Sequence, residues 1–233
     1  MTNRGKTGVG GGKFWPLSPG QIEDFHEAAT ELNDPKAELT GLTLLYSGLR
    51  NAEFHHMRDD WLEYSAQGQL RIVVPKEAIC TGGAGQTGKN NADGANLHQR
   101  GQPCSRCRAS TPNWVSGSDD MWHPKSDAGG GRVIPIPEPD AVDILEWWFE
   151  TNNAVPMLHK GVNSRIERIA EKAGIERDVT AHDLRDTYGT TLARREFDRW
   201  KIKDLLGHSS LDSTEKYIKF VGRELDQAFD EKW

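Results

Sequence analysis

Three short segments of the 233-residue sequence place cationic or proton-carrying side chains at turns and at helix ends. Arg50 follows a Ser-Gly-Leu turn, His182 and Arg185 stand three positions apart, and His208 follows Leu-Leu-Gly, nine positions before Tyr217. Side chains three positions apart share one face of a helix, so His182 and Arg185 can contact the same ligand. The spacing predicts one site assembled from separate parts of the chain.

The residue types at this site suit chemistry on a phosphodiester. Two guanidiniums can bind the non-bridging oxygens of one phosphate and stabilise the charge that develops on phosphorus. A tyrosine hydroxyl, with an ordinary pKa of about 10, needs a base or a positive field before it attacks phosphorus at neutral pH. His182, His208 and the two arginines can supply both, so Tyr217 is the candidate nucleophile.

Each residue also has an ordinary structural interpretation. Arg50 could cap the carbonyls of the preceding helix, His208 could be a residue after a glycine C-cap, and Tyr217 could be a half-buried aromatic. A single His-x-x-Arg is most often a solvated helix face. The joint occurrence of all the motifs favours a functional site.

Together, the motifs resemble those of the tyrosine recombinase, or phage integrase, family from about Ser18 to the C-terminus. That family has an arginine after a Thr/Ser-Gly-Leu turn, a His-x-x-Arg helix, a Leu-Gly-His turn and a tyrosine nine positions further on. The distance from Arg185 to His208 also suits the family. The resemblance implies a site-specific recombinase of the α+β class, mainly α-helical, with a small antiparallel β-sheet.

The resemblance also implies the roles of the site residues. Tyr217 attacks the scissile phosphate and leaves a 3′-phosphotyrosine and a free 5′-hydroxyl. Arg50 and Arg185 bind the phosphate, His208 supports it, and His182 handles the tyrosine proton. Glu53 orients Arg50. No cofactor is expected for this chemistry.

The family's catalytic lysine lies in a β-hairpin, ahead of a strand with the pattern Arg-x-x-Pro. Lys125 precedes Arg132-Val-Ile-Pro135 and is assigned this role, as the general acid for the leaving oxygen. Lys76, at the end of the preceding strand, is the competing choice. It is followed by an insertion rather than by a turn and a partner strand.

The catalytic residues must be positioned by helices, strands and caps that are visible in the sequence. Ser18 with Pro19 and Gln21 predicts a helix start, and Gly48 predicts the end of a buried helix that includes residues 39–46. Strands are predicted at residues 61–64, 70–74 and 132–136. Further helices are predicted at residues 141–150, 162–173, 181–195, 200–206 and 214–221, the last with only a short continuation.

We divide the chain into a flexible N-terminal tail at residues 1–17 and a catalytic domain at residues 18–233. The domain contains a Cys-bearing insertion at about residues 75–121, which is too long and polar for a hairpin turn. Similar insertions occur among archaeal integrases, which suggests an archaeal or viral mobile element. The family's N-terminal core-binding domain has no counterpart before Ser18, so we expect a truncated form or a different way of recruiting DNA.

The insertion carries three cysteines, which predict a structural zinc site. Cys80, Cys104 and Cys107 offer three thiolates, and His98 or His123 is the candidate fourth ligand. A closed site would anchor a segment with few apolar residues and would fix the strand next to Lys125. The alternative is that these are free thiols in a mobile loop.

Composition limits the partners. The 29 Lys and Arg against 35 Asp and Glu give a formal charge of −6, which disfavours nonspecific coating of nucleic acid and requires a local basic groove. No apolar run approaches the roughly 20 residues of a membrane span, so a cytoplasmic protein is expected. The resemblance implies double-stranded DNA with a recombination site as the partner, and a homo-oligomer on that DNA.

Two other functions remain compatible with the motifs. A type IB topoisomerase uses a similar set of Arg, Lys, His and Tyr to relax DNA. A noncatalytic DNA-binding or zinc-organised module descended from a recombinase would keep the fold without the chemistry.

Overall fold

The computed structural model describes residues 14–80, 107, 121–155 and 157–232. The helices form most of it, with a three-stranded antiparallel sheet on one side. This confirms the mainly helical α+β class. None of the helices within these ranges is long and apolar enough to cross a membrane.

The first helix begins, and the second helix ends, at the cap that the sequence predicts. Helix α1 (Pro19–Glu31) starts at a capping box in which Ser18 and Gln21 bind each other's backbone. Helix α2 (Pro35–Ser47) is capped by Asp34 and ends at Gly48, whose φ of 60° is left-handed. Nearly every side of α2 is buried because α1 and three later helices pack around it.

A short helix, α3 (Asn51–Phe54), leads from Arg50 toward the sheet. Strands β1 (Leu62–Tyr64), β2 (Leu70–Val74) and β5 (Arg132–Pro135) pair in the order β1-β2-β5. Ile72 of β2 lies opposite Ile134 of β5, and both side chains are buried. The three predicted strands are therefore present, although β1 and β5 are each one residue shorter than expected.

A second strand pair, which the sequence analysis missed, lies at the base of the insertion. Strand β3 (Ala78–Ile79) pairs with β4 (Met121–Trp122), and Ala78 lies opposite Trp122. Strands of two residues carry too little alternation for their pattern to be seen in a sequence.

The remaining helices are α4 (Pro139–Thr151), α5 (His159–Lys172), α6 (Ala181–Arg194), α7 (Arg199–Leu206) and α8 (Asp212–Lys232). The expected short C-terminal helix is wrong, because α8 continues eleven residues beyond residue 221. Glycine at 222 costs only about 1 kcal/mol in a helix. The paired hydrogen bonds from Arg194 to Glu224, at 2.9 and 2.6 Å, hold the extension against α6.

The predicted flexible tail ends too late. Residues 1–13 lie outside the described residues, but residues 14–17 are packed against the domain. Leu17 is completely buried, and its N–H donates to Thr187 Oγ1 at 2.8 Å. The carbonyl of Trp15 accepts a hydrogen bond from Arg177 at 2.5 Å. Phe14 and Leu17 bury apolar surface, which the Gly-rich composition of the tail as a whole conceals.

Candidate active site

Arg50 is fixed at the junction between α2 and α3. The chain turns there at Gly48, where an added Cβ would lie 2.4 Å from Cδ1 of Tyr188. Arg50 donates from Nη1 to Glu53 Oε1 at 2.8 Å and from Nη2 to the Gly207 carbonyl at 2.9 Å. Its side chain is about one-fifth exposed. Arg50 is therefore a pre-positioned cation with access to solvent.

Glu53 is a completely buried carboxylate that holds two arginines. Arg132 donates to its two oxygens at 3.1 and 2.6 Å, beside the bond from Arg50. Burial raises the pKa of Glu53, but the charges of Arg132 and Arg50 outweigh it and lower the pKa to about 2. Glu53 is therefore ionised and, as expected, orients Arg50.

Arg185 lies on the buried face of α6. Its Nη1 donates to the Gly48 carbonyl at 2.5 Å, and its Nη2 donates to the Leu206 carbonyl. Burial, followed by the charge of Arg50, lowers its pKa to about 10. The side chain therefore stays charged at neutral pH. Because Arg50 and Arg185 bind the carbonyls of consecutive residues at the end of α7, their guanidiniums lie side by side.

His208 follows the left-handed Gly207, which ends α7 at a φ of 63°. Its Nδ1 lies 2.9 Å from Thr214 Oγ1, and its ring stacks on that of Tyr217 with 6.1 Å between centroids. Burial lowers the pKa of His208 to about 3, with a further contribution from the positive charges of Arg185 and Arg50. The neutral ring can donate from one nitrogen to a bound phosphate.

Tyr217 is on the first turns of α8 and is only 1% exposed. Its hydroxyl donates to Asp186 Oδ1 at 3.0 Å. The ring lies on Gly189 of α6, where an added Cβ would be 2.7 Å from Tyr217 Cζ. Burial and, after it, the charge of Asp186 raise the pKa of Tyr217 well above its ordinary value. The candidate nucleophile is thus protonated and enclosed.

His182 is not in direct contact with the Tyr217 hydroxyl. Its side chain is 67% exposed, and its Nε2 lies 3.7 Å from Asp186 Oδ2. His182 and Arg185 are on the same helix, as the sequence predicts, but Arg185 points into the protein and His182 lies at its surface.

The two candidate lysines both lie at the end of the β2–β5 hairpin. Lys125 is exposed and follows Pro124, which packs against Gly129. Lys76 is also exposed, and its Cα would be 2.8 Å from a Cβ added at Gly130. The Gly129 backbone in turn lies beside Arg50, since a Cβ added there would be 3.3 Å from Arg50 Nη1. The hairpin end therefore borders the site through these glycines.

Two of the predicted metal ligands, Cys80 and Cys107, are brought together and buried. The histidine beside them is His56, whose Nε2 lies 3.4 Å from Cys80 Sγ and 3.5 Å from Cys107 Sγ. Among the described residues, the group of possible donors is His56, Cys80 and Cys107, so His123 as a ligand stays a prediction. Cys104 and His98 lie outside the described residues.

Sequence reasoning missed three residues at these sites. Arg132 was seen only as the start of a strand, Asp186 was overlooked beside Arg185, and His56 was not considered as a ligand. The Arg-x-x-Pro pattern, the acidic residue next to a site arginine and the His55-His56 pair were the available signals. None of them points to a partner that is distant in the sequence.

Comparisons with known proteins agree with the motifs. Residues 125–221 match the phage integrase family. Tyrosine recombinase XerA of Pyrococcus furiosus is 31% identical over 113 residues, 43% of this chain and 39% of that protein. Tyrosine recombinase XerC of Listeria monocytogenes is 26% identical over 98 residues, 39% of this chain and 33% of that protein. The matched part thus spans little more than a third of these relatives.

Solved structures show the same fold. A crystal structure of XerA recombinase has a TM-score of 0.59 at 17% identity and covers 97% of this chain and 68% of that chain. XerH recombinase, in a post-cleavage complex with a palindromic difH substrate, has a TM-score of 0.59 at 17% identity, with coverages of 92% and 52%. The catalytic domain of bacteriophage HP1 integrase has a TM-score of 0.53 at 14% identity, with coverages of 94% and 96%.

Proposed function

Because the chain carries a phage integrase family domain with the fold of tyrosine recombinase catalytic domains, we propose that it is a site-specific DNA recombinase with Tyr217 as nucleophile. The observation that carries this proposal is the pair of adjacent guanidiniums, Arg50 and Arg185, on the consecutive carbonyls of Gly207 and Leu206. His208 and Tyr217 lie immediately beyond that turn. These are the chemical groups that transfer of a phosphodiester to a tyrosine requires.

In the proposed reaction, the two arginines bind the non-bridging oxygens of the scissile phosphate. Neutral His208 donates a further hydrogen bond, because Thr214 occupies its other ring nitrogen. The bond from Tyr217 Oη to phosphorus forms as the bond from phosphorus to the 5′-oxygen breaks. The phosphotyrosine ester conserves the bond energy, so rejoining needs no ATP, and no cofactor takes part in either step.

Two proton transfers complete the proposed reaction. We assign the proton of the Tyr217 hydroxyl to His182, whose exposed ring lies next to Asp186, the carboxylate that accepts from that hydroxyl. The leaving 5′-oxygen receives its proton from Lys125, with Lys76 as the alternative donor at the same hairpin end.

The proposed partners are duplex DNA that contains a recombination site and further copies of this protein on that DNA. XerH has been solved on its difH substrate, which supports DNA as the partner of this fold. An origin in an archaeal or viral mobile element stays a prediction, since Xer recombinases of both Pyrococcus furiosus and Listeria monocytogenes match this chain. A type IB topoisomerase activity would relax supercoiled plasmid without exchanging flanks between two marked duplexes.

The direct test is to incubate the protein with nicked suicide duplexes made from the DNA on either side of its gene, and to look for DNA-linked protein on a denaturing gel. We expect an adduct with wild type and none with Tyr217→Phe. The control is Tyr64→Phe, because Tyr64 is exposed and contacts Glu146 on the far side of the sheet. DNA binding without any adduct in wild type would favour the noncatalytic module.

We also propose a structural zinc ion for the Cys-bearing insertion, bound by His56, Cys80 and Cys107. Zinc bonds of about 2.3 Å to sulfur and about 2.0 Å to nitrogen, at tetrahedral angles, separate nitrogen from sulfur by about 3.5 Å. The two observed separations, 3.4 and 3.5 Å, match that value. His56 Nδ1 is 2.7 Å from the Ala52 carbonyl and must donate to it, so Nε2 presents its lone pair to the sulfurs. Cys104, the third thiolate of the predicted set, would complete the four ligands.

The zinc proposal is tested by the metal content of purified protein. We expect about one zinc per chain in wild type and in His123→Asn, and loss of the metal in His56→Asn. The two variants make the same substitution, one at the histidine beside the cysteines and the other at the histidine that follows strand β4. Zinc retained by His56→Asn, or lost only from His123→Asn, would return the ligand role to His123.

A further inference from the structure

The Tyr217 hydroxyl has one hydrogen-bond acceptor in the described structure, and it is a carboxylate rather than a site cation. Asp186 Oδ1 accepts from it at 3.0 Å. The Arg50 and Arg185 guanidiniums donate to Glu53 and to backbone carbonyls instead. The nucleophile is therefore next to the cationic site but is held by a different group.

A second contact holds the same carboxylate. Lys216, the residue before Tyr217, donates from Nζ to Asp186 Oδ1 at 2.6 Å. Its ammonium also lies 5.0 Å from the ring centroid of Phe14 and 4.8 Å from that of Tyr217. Two consecutive residues of α8 thus converge on one oxygen of α6, and Phe14 from the N-terminal segment covers them.

This arrangement cannot be the one that attacks DNA. A side chain that is 1% exposed presents no path for the phosphorus of a duplex to reach its hydroxyl oxygen. The negative charge of Asp186 would also repel a phosphate next to it. Moreover, Asp186 Oδ2 is buried without a hydrogen-bond partner among the described residues, so the closed arrangement leaves an acceptor unsatisfied and is open to displacement.

We infer that Asp186 is a positioning residue that keeps Tyr217 docked against α6, and that DNA binding must break the Asp186–Tyr217 hydrogen bond before Tyr217 can attack. The effect on catalysis rests on the proposed function, whereas the docking of Tyr217 is a property of the DNA-free protein. The raised pKa of Tyr217, caused by burial and then by Asp186, agrees with a protonated, resting nucleophile.

The docking is tested without DNA by nitration with tetranitromethane, followed by mass spectrometry of the tyrosine peptides. Tyr64, which is 56% exposed, serves as the internal reference. We expect Tyr217 to react at least about tenfold more slowly than Tyr64, and Asp186→Asn to raise its reactivity by about tenfold, since a hydrogen bond to a neutral amide is weaker than one to a carboxylate. Equal reactivity of Tyr217 and Tyr64 in wild type would overturn the inference.

Asp183→Asn is the matched control. Asp183 is also a buried carboxylate of α6, but it accepts hydrogen bonds from Thr180, the N-cap residue, and does not contact Tyr217. It should leave the reactivity of Tyr217 unchanged even if it lowers stability. If Asp186→Asn fails to fold, wild type with and without duplex DNA replaces it, and DNA should raise the reactivity of Tyr217.

The consequence for catalysis is measured as the single-turnover rate of adduct formation at saturating suicide duplex, with DNA affinity measured separately. We expect Asp186→Asn to react about tenfold faster than wild type at nearly the same affinity. A slower reaction at the same affinity would instead make Asp186 the proton acceptor of Tyr217 and overturn the inference. Absence of an adduct in wild type would defeat the proposed function, and nitration would still decide the docking.

Discussion

Arg50 and Arg185 donate hydrogen bonds to the carbonyl oxygens of two consecutive residues, Gly207 and Leu206. These carbonyls are free because α7 ends there, and the last carbonyls of a helix have no partner within it. The end of one helix therefore places two guanidiniums from distant segments side by side. His208 continues from the same turn, which explains how one Leu-Gly-His motif organises the whole site.

Lysine should not replace either site arginine, because an ammonium is a point charge without the planar fork of donors that lets arginine bind phosphate oxygens and its carbonyl together. Arg50→Lys and Arg185→Lys are each expected to slow adduct formation by about 10²- to 10³-fold, the usual effect of removing a donor to a transition-state oxyanion. The measurement is the single-turnover rate on suicide duplex. Arg177→Lys, which changes an arginine bonded to Trp15, should react at the wild-type rate.

Glu53→Gln should destabilise the fold, since it leaves the buried Arg132 and the adjacent Arg50 without their counter-charge. The expected loss in free energy of unfolding is about 3–5 kcal/mol at neutral pH. The pKa of Glu53 lies below its ordinary value of 4.5, at about 2, so its stabilisation is present above pH 4.5 and is lost as the pH falls toward 2.

Urea unfolding between pH 7 and pH 2 tests this linkage. The difference in stability between wild type and Glu53→Gln should shrink as the pH falls below 4.5. A difference that is constant over this range would contradict the assigned role of the carboxylate charge.

Gly189→Ala should displace the ring of Tyr217, because the added methyl would lie 2.7 Å from Cζ. Overpacking of this kind costs about 1–3 kcal/mol, which a thermal melt would show as a lower Tm. Gly222→Ala is the control in another helix, where an added Cβ meets nothing within 4 Å. That variant should gain about 0.5–1 kcal/mol, since alanine replaces glycine in an exposed helix.

The general acid can be identified with a substrate whose leaving group needs no proton. In a duplex with sulfur in place of the bridging 5′-oxygen, the leaving thiolate is stable without protonation. Lys125→Ala is expected to slow cleavage of ordinary DNA by about 10²- to 10⁴-fold and to cleave the sulfur-containing duplex at nearly the wild-type rate. Lys76→Ala should behave as wild type on both, and the reverse pattern would assign the role to Lys76.

The sequence by itself determined the features that depend on near neighbours. The cap at Ser18, the glycine caps at 48 and 207 and the three strands follow from local backbone preferences and side-chain alternation. The spacing of the motifs indicated a resemblance to the family, and residues 125–221 match the phage integrase family. Helix ends were less certain, as the long α8 shows, because packing against α6 rather than local preference sets its length.

Only the tertiary structure decided which distant residues meet. Asp186 and Tyr217 are separated by a helix and two turns, and His56 is far in sequence from both cysteines beside it. Such pairs form only when packing brings two segments together. The pattern of hydrophobic and polar residues along the sequence does not specify which residues of those segments will lie opposite each other. For that reason the sequence could name a candidate nucleophile, whereas the carboxylate that contacts it became visible only in the fold.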